Sequence, residues 1–590
     1  MARLPHLAAC FALVALALCS LAKFTAPRLG FQEILPRVGT ASGESHFIDI
    51  PLDHFSNSTQ TFKNRFWVND TYFEPGGPVF LFDSGEQDAA PLHPYYLQEY
   101  HGLSAVMRLA KRYKGLAILW EHRFYGDSLP FPVNRNTTAD QWKFLNTEQA
   151  LEDVIFFANA FGGSNSHRND PSAGPLALPV HPSTTPWVFL GGSYPGVRAA
   201  FLRIRNPETI FASWASSAPV HAQVDMASYY MAAERSLTRN CSADWVAVTK
   251  YVDGALKGND QRLKDTIKQG LLSARQSGPA GRSASEGIAQ ISDLSAASIL
   301  MDPLDFYQYY GFAATLLPFC NLLETRNFTT DPLEGGLASR FGVETAFRSF
   351  LVAITQLDYD SIPRGADDPI TDRSWMWQYC SEYGRLPCCR REMRKLRRNA
   401  MFEGFYQRGD PTNPLSIQTS LQSLGLFQEQ CNSAFPQGLP ASPQVESVNK
   451  YGGWDMNPSN VLFTNGEFDP WRTQGLASIE VNSPHRTPSV SIPKYASLTL
   501  LYSTPLLIPH ITPNLRCNTA PPNSSFFGLT YANMVHVSDM RVLLTPDANH
   551  TNFQTVGFYS PISQEQFFTG LGLFQLALDE WLPCFTLRQM

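Results

Sequence analysis

The stretch WVFLGGSYPGVRAAFLRIRNP, from Trp187 to Pro207, runs from a buried-strand pattern straight into a helical pattern. Its first four residues are apolar, as in a strand covered on both faces. Val197 to Arg205 have helical spacing, and the Asn-Pro that follows ends the helix. Ser193 therefore lies in a sharp turn where two backbones almost touch, which is why glycines precede it. This stretch predicts a sheet with a helix packed directly after one of its strands.

The same alternation of strand and helix patterns recurs between residues 45 and 220. The segments Gly77 to Glu86 and Gly115 to Gly126 each read as a buried strand that runs into a loop. Thr147 to Phe161 reads as a helix with Thr147 as its N-cap. Strands and helices that alternate at this spacing predict an α/β fold, a parallel sheet with helices on its faces.

A serine lifted out of a strand-to-helix turn is the nucleophile elbow of α/β hydrolases. The usual elbow has glycine two residues before and two residues after the serine. Gly191 meets the first requirement, but Pro195 occupies the second position and Gly196 comes one place late. Proline is tolerated in a first helical turn because its missing N–H would have no partner there. A plain tight strand-helix turn is the alternative reading.

The pattern of apolar residues changes in the middle of the chain, and the earlier pattern returns near the end. Helical patterns replace strands from about residue 221 to 445, and strand patterns resume after that. Because 590 residues exceed one ordinary core, we expect an inserted domain. The predicted organisation is a signal peptide (1–22), an N-terminal extension (23–44), an α/β-hydrolase domain in two parts (45–220 and 446–590) and a mostly helical lid (221–445).

The N-terminus indicates export. Arg3 precedes an apolar run from Leu7 to Leu18, and small residues follow at the spacing of a cleavage site. The run is short for a membrane span, so a signal peptide is favoured over a signal anchor. The C-terminal segment FFTGLGLFQLALDEWL carries charges and predicts an amphipathic core helix. The expected location is extracellular, with a vacuole or lysosome as alternatives, and no stable membrane anchor is expected.

Cysteines and glycosylation motifs agree with export. Loss of the leader would leave eight of the ten cysteines, an even number that suggests disulfides of undetermined connectivity. The chain has no CxxC or HExxH motif, so neither a metal nor another cofactor is expected. A net charge of −6 over the whole length argues against nucleic-acid binding. The predicted glycosylation sites are Asn57, Asn69, Asn136, Asn240, Asn327, Asn523 and Asn549.

A nucleophile in this fold needs an acid and then a histidine later in the chain. Asp469 follows the strand pattern of VLFTNGEFDPW, and Glu467 in the same turn is its rival. His536 lies in a loop after another strand pattern, before a Ser-Asp that would cap a helix. His550 also follows in order, but its position within a glycosylation motif is a poor one for a buried base.

Several motifs together resemble the serine peptidase family of lysosomal prolyl carboxypeptidase and dipeptidyl peptidase II, which has secreted fungal members. The motifs, in chain order, are EHRFYGDSLP, FLNTEQALEDV, GGSYPGVRAAFLRIRNPETIFASWASSAPV, WMWQYCSEYG, NGEFDPW and VHVSDMR. The resemblance covers most of residues 45 to 582. It implies an α/β-hydrolase domain with a helical lid and cleavage of peptides after proline.

The resemblance also implies roles for single residues. Ser193, Asp469 and His536 would form a catalytic triad, and backbone N–H groups of Tyr194 and of the loop near Gly85 and Glu86 would bind the oxyanion. Trp471 and lid aromatics would line the proline pocket. The chain departs from the family at Pro195, at FDSGEQDA in the first loop, and in the long span between Asp469 and His536.

The specificity stays open at this level. A carboxypeptidase needs a cation for the substrate carboxylate, and an aminopeptidase needs an acid for its ammonium group. The basic run Arg390 to Arg398 is a candidate cation, but a solvated helix face is the favoured explanation, and a processing site is a further one. The expected partners are peptide substrates, and a homodimer is left open. Other readings are an esterase or lipase on the same scaffold, and a catalytically silent binding glycoprotein.

Overall fold

The computed structural model describes residues 43–100, 102–161, 178, 180–276, 291–304, 307, 315–324, 335–357, 369–383, 413, 415–491, 516–531, 534, 536, 540–543 and 564–587. All of them belong to one compact unit, Thr40–Met590. Some of the features predicted above lie outside these residues. They are the signal peptide, the N-terminal extension up to residue 42, the run Arg390–Arg398, Cys388, Cys389, Asn327, Asn549 and His550.

The strands of the described residues run in chain order as β1 (His46–Pro51), β2 (Thr61–Asn69), β3 (Val79–Asp83), β4 (Gly102–Ser104), β5 (Leu116–Trp120), β6 (Trp187–Gly192), β7 (Ile210–Ser216), β8 (Val461–Gly466), β9 (Thr487–Ser491), β10 (Ser525–Tyr531) and β11 (Arg541–Leu543). Nine of these described strands form one sheet in the order β1-β2-β5-β3-β6-β7-β8-β10-β9. The β1–β2 and β2–β5 pairs are antiparallel, and every pair from β5 to β9 is parallel. β4 and β11 form a separate antiparallel pair.

The α-helices of the described residues are α1 (His93–Tyr96), α2 (Ala105–Tyr113), α3 (Ala139–Trp142), α4 (Thr147–Phe161), α5 (Tyr194–Arg205), α6 (Ser228–Ser236), α7 (Arg239–Lys257), α8 (Gln261–Gln276), α9 (Asp293–Ala297), α10 (Leu316–Glu324), α11 (Gly336–Phe341), α12 (Val343–Thr355), α13 (Pro369–Gln378), α14 (Leu424–Ala434), α15 (Glu446–Asn449) and α16 (Gln564–Leu587). A π-helical turn, Tyr379–Tyr383, extends α13, and a 3-10 turn, Pro470–Gln474, follows β8.

The central strands are buried on both faces because helices cover both. Along β3, Val79 and Leu81 belong to one apolar cluster, while Phe80 and Phe82 belong to the other. Successive side chains of a strand point to opposite faces, so the two clusters are the two layers beside the sheet. Buried residues of α4 and α5 lie in the first cluster, and those of α2 and α16 lie in the second. The predicted α/β class, a mostly parallel sheet flanked by helices, is confirmed.

Local predictions succeeded where the pattern was strong and failed at element ends. The helix α4 has the predicted bounds, but Asn146 rather than Thr147 caps it, because the Asn146 side-chain oxygen accepts the N–H of Gln149 at 3.0 Å. The helix after Ser193 begins at Tyr194, three residues earlier than its apolar pattern. No described residue supports the helix predicted after the Ser-Asp that follows His536. There Arg541–Leu543 pairs with β4 as a strand instead.

Every described α-helix from α6 to α14 falls between β7 and β8, in the segment predicted to be a helical lid. The division of the chain into lid and hydrolase parts stays a prediction. Two disulfides join Cys241 to Cys320 and Cys380 to Cys431 within this segment. The C-terminal helix α16 buries Phe574, Leu578 and Trp581, as an amphipathic core helix should. No helix in the described ranges is long and apolar enough to cross a membrane.

Gly528 should be required for the β8–β10 pairing that supports the later part of the site. A Cβ at this position would lie 2.1 Å from the carbonyl oxygen of Phe463 on the neighbouring strand. Gly528→Ala must therefore force the strands apart, and we expect it to lower the free energy of unfolding by about 2 kcal/mol. Urea denaturation measures this change.

Gly572 in α16 provides the control, because nothing lies within 4 Å of an added Cβ there. Gly572→Ala should raise stability by roughly 0.5–1 kcal/mol through helix propensity alone. Equal destabilisation by the two substitutions would show that the strand contact is not the cause.

Candidate active site

Ser193 occupies a strained backbone conformation between β6 and α5. Its φ of 62° and ψ of −124° lie in a region of backbone conformation that residues other than glycine rarely adopt. The turn is fixed by two backbone hydrogen bonds. The N–H of Ser193 donates to the carbonyl of Ser216 at 2.8 Å, and the N–H of Val197 donates to the carbonyl of Ser193 at 3.0 Å. Ser193 is half-buried and directly follows the carboxyl end of β6.

The glycines around this turn are needed for close backbone contact. A Cβ on Gly191 would lie 2.3 Å from the Pro195 carbonyl oxygen, and one on Gly196 would lie 2.7 Å from the Ser216 carbonyl oxygen. Gly192 differs, because the nearest atom to its Cβ would be 4.0 Å away. The requirement for small residues therefore falls on positions 191 and 196.

Pro195 fits because another glycine makes room for it. A Cβ on Gly85, in the loop after β3, would lie 2.3 Å from Cγ of the Pro195 ring. Gly85 also has a φ of 71°, which favours glycine. The departure from the usual elbow is thus matched by the first loop, where Gly85 packs against Pro195.

Asp469 and His536 form a buried acid–base pair. Asp469 follows β8, His536 follows β10, and Oδ2 of the aspartate lies 2.8 Å from Nδ1 of the histidine. Each residue is only 1% exposed. The other carboxylate oxygen accepts the backbone N–H of Trp471 at 2.8 Å, which fixes its orientation. A carboxylate oxygen accepts, so this contact calls for a proton on Nδ1, and in that neutral tautomer Nε2 is the acceptor.

The turn after β8 also contained a rival acid, Glu467. The contacts of the described residues favour Asp469, since its carboxylate lies against Nδ1 of His536. Glu467 instead donates its backbone N–H to the carbonyl of Tyr531 at 2.9 Å. That bond joins the ends of β8 and β10 and so helps to bring Asp469 and His536 together.

Ser193, Asp469 and His536 all follow strands that end at one edge of the sheet. β6, β7, β8 and β10 are parallel neighbours, with Gly192 opposite Ser216, Ser216 opposite Thr464, and Gly466 opposite Tyr531. Carboxyl ends of parallel strands share an edge, where α/β folds place their ligands. The arrangement is therefore suited to nucleophilic attack assisted by a histidine base.

Each oxyanion candidate is a backbone N–H in a different setting. Tyr194 is the first residue of α5, so its N–H has no partner within the helix. In the first loop, the N–H of Gly85 donates to Asp83 Oδ1 at 3.0 Å, and the N–H of the next residue, Glu86, is the predicted second donor. The Glu86 carboxyl group is buried, and burial raises its pKa to about 8, with the neighbouring Asp83 adding to the rise. Its own backbone N–H contacts this carboxyl group and opposes the rise.

Comparison of the sequence with known proteins identifies the family. The profile of the serine carboxypeptidase S28 family matches residues 50–254 and 352–497, together more than half of the chain. The chain belongs to the S28 family. Ser193 and Asp469 lie within the matched residues, whereas His536 lies beyond them. The resemblance predicted from the motifs is confirmed, and the chain is a serine-type peptidase.

Relatives of the S28 chain occur in fungi and animals. It is 25% identical over 463 residues to the serine protease vicPb of Bipolaris victoriae, covering 72% of this chain and 78% of that protein. It is 28% identical over 490 residues to the human thymus-specific serine protease, covering 77% and 81%. A probable extracellular serine carboxypeptidase of Arthroderma benhamiae is 27% identical over 487 residues, covering 74% of this chain and 60% of that protein.

Solved structures with a similar fold are more distant. The proline iminopeptidase of Mycobacterium smegmatis is 10% identical with a TM-score of 0.26, covering 73% of this chain and 87% of that one. An arylesterase is 12% identical with a TM-score of 0.19, covering 31% of this chain and 47% of that one. Such low scores carry no inference about function.

The EHRFYG motif of the S28 chain forms the buried support beneath the turn. Glu121 pairs with Arg65 at 2.6 Å, and Arg123 pairs with Asp153 at 2.5 Å. His122 Nε2 lies 2.9 Å from the hydroxyl of Tyr194, the residue next to Ser193. Sequence reasoning noted the motif but assigned it no role. The feature that indicates such a role in the sequence is a run of three ionisable residues directly after a fully apolar strand.

Other predicted site residues have definite positions. The Trp471 ring is 7% exposed, with its centroid 6.2 Å from that of His536 and 5.3 Å from that of Tyr229. Of the predicted glycosylation sites, Asn57, Asn136 and Asn523 are exposed. Asn69 is half-buried, and its amide nitrogen, the atom that would carry a glycan, donates to the Leu97 carbonyl at 2.7 Å.

Gly85→Ala should strongly impair catalysis because its Cβ would collide with Pro195 and displace the loop that carries Glu86. Loss of one oxyanion donor typically costs 10²–10³ in kcat, so we expect a fall on the order of 100-fold. Pro195→Gly in the same chain removes the colliding ring and should restore part of the rate. Hydrolysis of a peptide substrate measures both effects.

Gly192→Ala is the matched control, since its Cβ has no neighbour closer than 4.0 Å. Its rate should stay within twofold of the parent chain. If the proline substitution restores nothing, the contact between Gly85 and Pro195 is not what limits the variant.

Stability of the S28 chain should depend on pH through a buried acid of the helical segment. Glu382 accepts the N–H and the hydroxyl of Thr147, both at 2.9 Å, and burial raises its pKa to about 7. The unfolded chain releases this proton near pH 4.5, so the free energy of unfolding should fall as pH rises from about 5 to 7. Glu382→Gln cannot titrate and should flatten that fall by about 3 kcal/mol. Urea unfolding at pH 5, 6 and 7 measures the slope.

Other groups with shifted pKa values, such as Glu86 and His221, remain in both proteins and do not affect the comparison. Glu86 acts in the same direction, while burial lowers the pKa of His221 to about 4 and destabilises the fold in acid. Glu446→Gln removes an exposed carboxyl group and should leave the slope unchanged. A Glu382→Gln slope equal to that of the parent chain would contradict the assignment.

Proposed function

We propose that this S28 peptidase is secreted and cleaves peptide bonds after proline through an acyl-enzyme formed on Ser193. The observation that carries the proposal is the pairing of Asp469 with His536 at the sheet edge where Ser193 stands in its strained turn. A hydroxyl, an imidazole and a carboxylate in the chain order Ser, Asp, His are the components of hydrolase catalysis on this fold.

In the proposed mechanism, His536 Nε2 takes the proton of the Ser193 hydroxyl as Oγ attacks the scissile carbonyl. Asp469 holds the tautomer that leaves Nε2 basic and stabilises the imidazolium that forms. The tetrahedral intermediate collapses, the carbon–nitrogen bond breaks, and His536 gives its proton to the leaving amine. Water then attacks the acyl-enzyme by the same route and regenerates Ser193.

The oxyanion would be stabilised by the N–H of Tyr194 and that of Glu86. The first lies at the start of α5, where the helix dipole also favours negative charge. The second lies in the loop that contacts Pro195 through Gly85. Protonation of Glu86 below about pH 8 keeps a full negative charge away from this donor. We therefore expect the oxyanion site to work best at neutral and acidic pH.

The helical segment between β7 and β8 would act as a lid that shapes the proline pocket. Tyr229 of α6 packs edge-on against Trp471 with ring centroids 5.3 Å apart. The hydroxyl of Tyr307 donates to the carbonyl of Phe468 at 2.5 Å, next to Asp469. These contacts place helical-segment aromatics beside the acid–base pair, and Trp471 is the proposed wall of the pocket.

Several observations support secretion. The leader pattern precedes the described residues, three of the predicted glycosylation asparagines are exposed, and two disulfides cross-link the helical segment. A relative in Arthroderma benhamiae is named a probable extracellular serine carboxypeptidase. Peptides outside the cell would then be the substrates.

One experiment with two arms tests the proposed function. A fluorophosphonate probe should label Ser193 stoichiometrically, and labelling should fall at least 10³-fold in Ser193→Ala and His536→Ala. A peptide library with proline at every position, analysed by mass spectrometry, should show cleavage after proline. The position of each cut relative to the peptide termini then separates exopeptidase from endopeptidase action.

The two arms fail in different ways. Labelling without cleavage after proline, accompanied by hydrolysis of small esters, would replace the peptidase specificity with that of an esterase. Absence of labelling at every pH from 4 to 9 would overturn the triad and leave a binding protein on a hydrolase scaffold. Glu467→Gln serves as the control, because Asp469 is the acid that contacts Nδ1 of His536, and it should leave labelling within twofold.

A further inference from the structure

The hydroxyl of Tyr194, the residue after the nucleophile, lies within a buried chain of hydrogen bonds. It lies 2.9 Å from His122 Nε2 and 2.9 Å from Gln378 Nε2. The Gln378 Oε1 in turn accepts the hydroxyl of Tyr125 at 2.5 Å. Tyr194 is 3% exposed, and the other three side chains are fully buried. Both ends of this chain of hydrogen bonds, His122 and Tyr125, are in the EHRFYG motif, and Gln378 is in α13 of the helical segment.

The chemistry of the groups fixes the direction of every bond. The carbonyl of Arg123 can only accept, so His122 Nδ1, 2.7 Å away, carries the proton and Nε2 is an acceptor. Tyr194 must then donate to His122. Since Gln378 accepts through Oε1 from Tyr125, its Nε2 donates to the Tyr194 oxygen. Every donor in this series of hydrogen bonds therefore faces an acceptor. The series requires a neutral His122 imidazole, and burial favours that form because it lowers the pKa of His122 well below its usual range.

We propose that Tyr125, Gln378 and His122 are positioning residues that hold Tyr194, and through it the oxyanion N–H and the Ser193 turn, in the reactive geometry. This inference rests on the proposed function. It assigns the helical segment a part in catalysis beyond covering the site, because Gln378 lies at the end of α13.

The placement of Tyr194 makes this role effective. It shares a peptide bond with Ser193, whose conformation is strained and needs support from its surroundings. Its ring is also enclosed by the aromatic rings of Trp375 at 5.5 Å and Tyr383 at 5.7 Å. Ring packing restricts the side chain in two directions, and the two hydrogen bonds at the hydroxyl restrict the third. A shift of the hydroxyl end would be transmitted to a backbone N–H that must be placed within a few tenths of an ångström.

Tyr194→Phe and Gln378→Leu test the proposal with steady-state kinetics on a proline peptide. Each should lower kcat about tenfold and leave KM within twofold, because an oxyanion donor acts in the transition state. The double variant should be no slower than the slower single variant, since both break one chain. Additive losses, or rates within twofold of the parent chain, would overturn the proposal.

Tyr383→Phe is the matched control. It also removes a buried tyrosine hydroxyl beside the Tyr194 ring, and that hydroxyl bonds with Thr147 at 2.9 Å. Its kcat should stay within twofold. A loss equal to that of Tyr194→Phe would indicate general packing damage and overturn the proposal.

Gln378→Glu adds a pH readout that a merely structural role would not change. A protonated glutamic acid can accept from Tyr125 and donate to Tyr194, so this variant should be nearly as active as the parent chain in acid. Once ionised, this side chain can no longer donate. The pH profile of kcat should then gain an additional fall on its alkaline side of at least tenfold. A pH profile parallel to that of the parent chain would contradict the assigned direction of the bonds.

Hydrogen exchange keeps this proposal separate from the proposed function. If the parent chain neither cleaves proline peptides nor reacts with the fluorophosphonate, the proposed function fails. Amide hydrogen exchange of the peptide spanning residues 191–198 still tests the chain of hydrogen bonds. The exchange should be at least tenfold faster in Tyr194→Phe and Gln378→Leu but not in Tyr383→Phe. Equal exchange in all three would overturn the proposal whatever the activity.

Discussion

The contact between the first turn of α5 and the end of the sheet is the constraint from which the site follows. Ser193 is held at a φ of 62° because its N–H is bonded to Ser216 and because glycines allow backbones to touch. Strain of this kind costs about 1–3 kcal/mol and persists only when the neighbouring structure holds the residue in place. Three neighbours do so here: the end of the sheet, the loop that contains Gly85, and the next residue, Tyr194. Each of these also contributes a group that the proposed chemistry needs.

Buried ion pairs, which are costly to desolvate, hold the loops around this turn. Asp83 pairs with Arg198 of α5, Glu121 with Arg65, and Arg123 with Asp153. A buried pair adds little net stability. Breaking one leaves an unpaired buried charge and lowers the free energy of unfolding by about 3–5 kcal/mol. The loops after β3 and β5 are therefore restricted to one arrangement. We infer that the charges serve the geometry of the turn more than the stability of the fold.

Sequence reasoning succeeded where the physics is local. The turn at Ser193, the strands β3 and β5, the helix α4 and the amphipathic α16 all follow from short patterns of apolar, small and capping residues. Asp469 was preferred to Glu467 from its place after a strand, and the structure pairs it with His536. What sequence could not supply depends on distant contacts: the pairing of Arg541–Leu543 with β4, the connectivity of the disulfides, and the partnership of Gln378 with Tyr194. Pro195 seemed a defect because its counterpart, Gly85, lies more than a hundred residues earlier.

The helices between β7 and β8 interrupt the chain between the nucleophile and its acid, and their contacts reach both. Gln378 bonds to the residue after Ser193, and Tyr307 bonds to the residue before Asp469. A movement of this segment would therefore change contacts at both loops. If these helices close over a substrate, the same motion must adjust the oxyanion N–H and the acid–base pair. Formation of the site and enclosure of the substrate would then be coupled through the buried hydrogen bonds that join these helices to the sheet edge.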